Sequence, residues 1–299
     1  MPVDFLTDAQ KRRYGRYPEE VSAVQLARFF HIDDTDRALI GQRRGDANRL
    51  GFALQLLTVR FLGTFLSNPV DVPATVVGHV ARQLGIDASC LPRYLDREPT
   101  RHEHRAEIRE FYGYRDFSPP WSFRLSRWLF LRAWLGSERP SLLFDLGTSW
   151  LVEHKILLPG VTTLTCLVAR IRERTANRLW QRLCALPSTE QQDGLEALLQ
   201  IPEGARYNSH LDRLRRSPTR VSAPALIVAL QRYEELRALG VGKLDFSGIP
   251  PVRIKHLARY AATAWAPTLA RMPRQRRIAM LLAFVSVYEV NALDDAWTC

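Results

Sequence analysis

The chain is poor in lysine. Its 42 cations comprise 38 arginines and four lysines, set against 31 acidic residues for a formal charge of +11. It holds four cysteines, Cys90, Cys166, Cys184 and Cys299, and no C-x-x-C spacing. That excludes a disulfide-stapled secreted scaffold and a zinc ribbon, and points to a reducing, cytoplasmic setting. Asp4, Asp8 and Lys11 interrupt the start early, so no signal peptide is expected. The most apolar late run, Ile278 to Tyr288, falls short of the roughly 20 residues a bilayer span needs and reads as a core helix. Strand-like alternation is scarce. There is no Walker loop, no G-x-G-x-x-G turn and no nucleophile–base pair, and neither Asp33, Asp34 and Asp36 nor Asp294 and Asp295 form the separated carboxylates of a two-metal centre. Catalytic residues and metal ligands are therefore both expected to be absent.

A hydrophobic fraction of 46% supports a folded core, and 299 residues suggest roughly two domains. The positive excess makes an anionic partner plausible. Guanidinium groups fork phosphates and guanine edges, so the arginine bias suits nucleic acid. A GC-rich gene also writes arginine for lysine, so placement must decide.

The periodicity is helical nearly throughout, and turn signals divide it into four parts. Residues 1–68 form a first helical module, with Pro18 followed by Glu19 and Glu20 as a helix start and a strongly apolar helix over 46–62 capped by Asp46 or Asn48. Residues 69–117 form a second, including a helix closed by Gly85 and another opened by a Thr100/Glu103 capping box. Residues 118–187 hold long Trp-rich helices over 121–136, 139–157 and 162–186, with the tryptophans filling space between helices. Residues 188–299 hold helices near 194–200, 222–239, 251–264 and 273–293, after a turn over 187–193. The fold class is all-α, a multi-module helical array with helix-turn-helix-type amino-terminal units.

The cations recur in stripes. Arg43, Arg44 and Arg49 gather where the 46–62 helix begins. Arg101, Arg105 and Arg109 are spaced by four, with His102 beside them, and Glu103, Glu107 and Glu110 fall on a different stripe, none of them three or four residues from these arginines. Arg170, Arg174, Arg178 and Arg182 repeat the device. Like charges at that spacing cost an isolated helix about 0.2–0.5 kcal/mol per pair, which a phosphate backbone would reverse. Acids on neighbouring helices, or solvation alone, would answer the same need. Arg213, Arg215, Arg216 and Arg220 cluster around Ser217-Pro218, either touching a DNA backbone or simply solvated. No acid stands between Asp245 and Glu289, an interval holding Arg253, Lys255, Arg259, Arg271, Arg274, Arg276 and Arg277. The last three occupy the first turn of the final helix, where the macrodipole prefers an anion. A phosphate could supply it, as could an acidic face elsewhere in a longer protein.

Residues 44–65, RGDANRLGFALQLLTVRFLGTF, also carry a likeness. They resemble an early segment of transposases of the Tn-three family, which move transposons replicatively. Phe5-Leu6-Thr7-Asp8, Arg13 to Tyr17, and Gln25 to Phe30 with Asp33-Asp34 are similar to that family's opening. Thr100 to Ile108 resembles a later motif, and Pro250 to Tyr260 with Arg271 to Arg277 resemble the segment preceding its dimerising and catalytic parts.

The resemblance implies binding of double-stranded DNA at transposon ends, the terminal inverted repeats, with transposase subunits as further partners and no membrane. Arg43, Arg44 and Arg49 would position the first module on phosphates. Arg101, His102, Arg105 and Arg109 would do so, or read bases, in the second. Arg170, Arg174 and Arg178 would serve the third, and Arg213, Arg216, Arg271, Arg274, Arg276 and Arg277 the fourth. The family's catalytic acidic triad and its divalent metal, such as magnesium, belong to a ribonuclease-H-like part beyond the matched segment, so no cofactor is expected here. A cytoplasmic, nucleoid-associated location follows. Two alternatives are a truncated non-catalytic protein that inhibits or modulates intact transposase, and a small enzyme of another type.

Overall fold

A computed structural model describes residues 5–204, 208–217 and 222–298. The chain forms two compact units, Met1–Leu129 with Arg139–Ala169, and Phe130–Glu138 with Arg170–Cys299. This division by packing is coarser than the four segments expected from turn signals. Among the described residues there is no strand, and one parallel bridge pairs Arg115 with Ile156.

The first unit contains α1 (Asp8–Arg13), α2 (Ala23–Phe29), α3 (Asp34–Gly41), α4 (Asp46–Leu62), α5 (Ala74–Leu84), a 3-10 segment (Ala88–Asp96) and α6 (Glu98–Tyr112). It continues with most of α7 (Trp121–Leu135), all of α8 (Pro140–Glu153) and the opening of α9 (Val161–Cys184). Reciprocal capping boxes start α1, α2 and α3, formed by Thr7 with Gln10, Ser22 with Gln25, and Asp33 with Asp36. Each satisfies two otherwise orphaned donors.

Helix α4 is the axis of this unit. Ten consecutive residues, Leu50 to Val59, are buried, packed by Phe30, Ile32, Leu39, Ile40, Val76, Val80, Tyr94 and Ile108. A Cβ on Gly51 would collide with the Tyr94 ring, so glycine is what lets the 3-10 segment approach. This core draws on residues from both sides of position 68. Four polar side chains are buried within it, Asp36, Gln55, Thr58 and His104. Asp36 accepts from Arg60 and from the Tyr112 hydroxyl, while Gln55 and His104 meet at the Tyr94 hydroxyl.

Three helix starts differ from expectation. Gly45, not Asp46 or Asn48, is the N-cap of α4, and no side chain caps it. Asp46 is already helical, and the Asn48 amide donates to the Arg44 carbonyl. Helix α6 begins at Glu98, because Pro99 suits the first turn, and Thr100 is already inside. Glu19 and Glu20 lie in a bend, and the Ser22 box sets the start of α2.

The second unit holds the remainder of α7 and α9, then α10 (Thr189–Ala197), α11 (His210–Leu214), α12 (Ala223–Ala238), a 3-10 turn (Val241–Lys243), α13 (Pro251–Thr263), α14 (Ala266–Ala270) and α15 (Arg274–Thr298). Ser188 caps α10 through Gln191, so the stretch expected as a turn over 187–193 is mostly helix. Helix α15 is central. Ile278 to Val285 are all buried, against Leu236 of α12 and Leu257, Ala258 and Ala261 of α13. Arg232 is buried with them, donating from Nε to the Leu214 carbonyl at 2.7 Å and from Nη1 to Asp295 at 2.5 Å. Among the described residues, no helix is long and apolar enough to cross a membrane.

Candidate nucleic-acid interface

In the first unit most of the expected arginines are tied into the fold. Arg43 grips Glu107 across 64 positions, with Nη1 2.7 Å from Oε2, and its guanidinium lies over Phe52 at 4.8 Å. Arg49 donates to the Arg43 carbonyl at 3.0 Å and lies 3.6 Å from Asp46. Of this trio Arg44 alone is exposed without an ion pair.

The α6 stripe is consumed in a similar way. Arg105 donates to Gln55 at 3.2 Å and to the Leu66 carbonyl at 2.6 Å, where it ties down the chain leaving α4. Arg109 pairs with Asp116. His102 sits 3.7 Å from Glu98 at the surface. Arg101 is half-buried, with its Nε enclosed and unbonded. Of the three, Arg109 alone is answered by an acid, Asp116 from beyond the helix, whereas Arg105 is held by a side-chain amide and a main-chain carbonyl.

The second unit presents a different surface. The α9 stripe lies wholly within it and drifts around the helix as four-residue spacing requires. Arg170 and Arg174 are exposed, and no ion pair engages either. Further along, Arg178 lies over Phe130 and Trp134, each at 5.8 Å, and Arg182 lies over Trp134 at 5.4 Å while donating to the Gly248 carbonyl at 3.1 Å. The stripe therefore begins in solvent and ends on an aromatic bed, where the guanidinium plane stacks and keeps its charge.

Helix α13 has two distinct faces. Ile254, Leu257, Ala258 and Ala261 are buried, whereas Lys255, His256, Arg259 and Tyr260 are exposed. Arg253 lies between the faces, donating from Nη1 to the carbonyls of Ala133 and Gly136 at 3.2 Å each. Burial and then Arg172 of α9 lower its pKa, and Glu138 opposes them. His256 is pushed down first by burial, then by Arg253, Arg259 and Arg172. These four groups from two helices share one positive field.

The first turn of α15 is where an anion was sought. Glu196 of α10 supplies it, 2.8 Å from Arg277 and 3.5 Å from Arg274. Arg277 also donates to the carbonyls of Ala270 and Met272, and Arg276 stacks over Trp180 at 5.1 Å. A carboxylate of the chain's own thus meets the macrodipole and the arginines together. Arg271 is exposed and without an ion pair. Arg213 pairs with Glu235 at 2.6 Å, Arg215 with Asp212 at 2.7 Å, and Arg216 is exposed. Pro218 and Arg220, expected in the same cluster, lie outside the described residues.

Residues 5–171 match a protein family described as a domain of unknown function, DUF4158. The chain belongs to that family, and its relatives are transposases of the Tn-three type. It is 52% identical over 298 residues to the transposase for transposon gamma-delta of Escherichia coli strain K12, covering 99% of this chain and 30% of that protein. It is 26% identical over 296 residues to the transposase for transposon Tn1546 of Enterococcus faecium, again 30% of the relative. A shorter stretch of 96 residues is 47% identical to the transposase for transposon Tn4556 of Streptomyces fradiae. The chain spans about 30% of the length of the first two relatives.

For this DUF4158 chain, two residues of the shared positive field escaped the sequence reading, Arg172 and His256. The signal was present. His256 stands three residues from both Arg253 and Arg259, opposite the apolar positions of α13. What sequence could not supply was Arg172, which α9 brings from about eighty positions away in the DUF4158 chain.

Proposed function

We propose that this chain is a DNA-binding part of a transposase, recognising the terminal inverted repeats of its element in replicative transposition and leaving the chemistry to other parts of the protein. The observation that carries this reading is that Arg170 and Arg174 of α9 and Lys255 and Arg259 of α13, all in the second unit, are exposed and stand without ion pairs. A surface with unneutralised charge on a +11 chain gains by displacing counterions from a duplex. The relatives' printed names, all transposases, support the same partner.

Within this reading the expected arginines divide by role. Arg44, Arg101, Arg170, Arg174, Arg178, Arg216, Arg271 and Arg276 are the phosphate contacts, with His102 beside Arg101. Arg43, Arg49, Arg105, Arg109, Arg213, Arg274 and Arg277 hold helices in place for them. The helix-turn-helix character of the amino-terminal helices and the division into four DNA-contacting segments belong to the proposal. Contacts to phosphate position a protein, whereas contacts to base edges select its sequence.

Fluorescence anisotropy with a duplex from the element's end tests the reading. Neutralising about six phosphates gives a log–log salt slope of about −5. Tighter binding to the end duplex than to a scrambled one supports end recognition. A flat salt response, or equal affinity for both duplexes, overturns it.

A further inference from the structure

The outward face of α13 does more than add charge. Lys255, His256 and Arg259 are exposed on it, and Arg172 is exposed on α9. Arg253 beneath them is held by two main-chain carbonyls, which fixes a positive charge at the base of the cluster. The charged groups acting on His256 are Arg253 and Arg259 from its own helix and Arg172 from α9, all of one sign. The carboxylate near the cluster, Glu138, acts on Arg253 and pairs with Arg132 at 3.4 Å. An imidazole among cations with no carboxylate acting on it is a group whose protonation waits for an anion to arrive.

We infer that the α13 face together with Arg172 is a proton-coupled phosphate clamp, in which His256 takes up a proton when a nucleic-acid backbone settles onto Arg172, Lys255 and Arg259. This rests on the DNA-binding reading above and assigns that surface one specific ligand group, the phosphodiester. In the free chain, burial first and then Arg253, Arg259 and Arg172 push the His256 pKa down, disfavouring its charged form. A bound phosphate supplies negative charge and an acceptor for the imidazolium N–H, so the bound state holds a proton that the free state lacks. The linkage has one sign. The added affinity is fully present below the free-state pKa of His256 and is lost as pH rises through its higher value in the complex.

Phosphate contacts carry no sequence information, so the probe is a fluorescein-labelled duplex of arbitrary sequence, titrated at low salt at about pH 8 and about pH 6. For the native chain the association constant should rise several-fold on acidification, about tenfold per unit of pKa displacement being the ceiling. His256→Gln should remove most of that rise. His79→Gln should keep it, since His79 answers to Arg82 and His31 in the first unit. Calorimetry in two buffers of different ionisation enthalpy should show proton uptake for the native chain and much less for His256→Gln. A full pH response retained by His256→Gln, with its circular dichroism unchanged, overturns the clamp and leaves DNA binding standing. Failure of the native chain to bind any duplex at low salt overturns the reading beneath it as well. As an independent arm, Arg259→Gln should make the salt slope shallower by about one, and an unchanged slope removes Arg259 from the site.

Discussion

Arg60 donates to both carboxylate oxygens of Asp36, at 2.8 and 3.0 Å, and Asp36 is fully buried. The Tyr112 hydroxyl adds a third bond at 2.6 Å, and Asp36 also closes the capping box of α3. One carboxylate thereby joins α3, α4 and α6. Arg60→Ala should destabilise the chain by about 3–5 kcal/mol, because it strands a buried charge. Asp36→Leu with Arg60→Leu should cost less than Arg60→Ala alone. Urea melts read both outcomes, and a paired replacement costing more than Arg60→Ala alone would overturn the account of a stranded buried charge.

A second buried group makes this unit sensitive to acid. The Tyr94 hydroxyl lies 2.8 Å from His104 Nδ1, and Gln55 donates to the same oxygen at 2.5 Å. Burial first, then Arg43, push His104 down to about 4, with Glu107 opposing. In the unfolded chain a histidine titrates near about 6.5. Between these values the unfolded state binds a proton that the native state refuses. Stability should therefore fall as pH drops through that window, by at most about 1.4 kcal/mol per pH unit, and this contribution should be flat above it. Urea midpoints for the native chain and His104→Gln between about pH 7.5 and about pH 4.5 check the sign, since the variant should lose less stability over that range.

How far the sequence carried these conclusions depends on the range of the interaction. The limits of α4 were legible because glycines flank a long apolar run and Gly63 adopts the left-handed conformation that ends the helix. The long helices α7, α8 and α9 were legible from their periodicity and the turn signals between them. The capping box at Thr100 failed because Pro99 shifts the start one turn earlier. Helix α11 was missed because one short turn, held by Ser209 and Asp212, leaves little periodicity to read. Charge was the hardest part. Spacing shows partners three or four residues away, whereas Arg43 finds Glu107 and Arg277 finds Glu196 across 64 and 81 positions. Arginines that look uncompensated in sequence are thus a mixture of braces and open contacts.

The brace at the start of α15 yields a prediction of its own. Glu196 holds Arg274 and Arg277 together. Glu196→Gln removes the anion and leaves both guanidinium groups at a helix start that already disfavours cations. Folding stability should fall by about 1 kcal/mol, while duplex binding should strengthen and its salt slope steepen by about one as a phosphate takes over Glu196's place. Thermal melts with anisotropy titrations separate the two effects. Unchanged binding and salt slope in this variant would mean that the α15 start lies away from the DNA.

Arg170 and Arg174 provide the sharpest contrast with these braces. Both are exposed, and among the described residues no carboxylate pairs with either. Their neighbours on the core side, Val168, Ile171 and Thr175, hold the helix without them. Arg170→Ala with Arg174→Ala should leave the urea midpoint nearly unchanged, or raise it slightly as like-charge repulsion is relieved. Duplex affinity should nonetheless fall, and the magnitude of the log–log salt slope should drop by about two, since two phosphate contacts are lost. Arg105→Ala should do the reverse, costing stability through the lost tie to Gln55 and Leu66 while changing the salt slope little. Measured together, the two variants test whether exposure without a partner marks the arginines that touch DNA. A salt slope unmoved by the loss of Arg170 and Arg174 would break that rule.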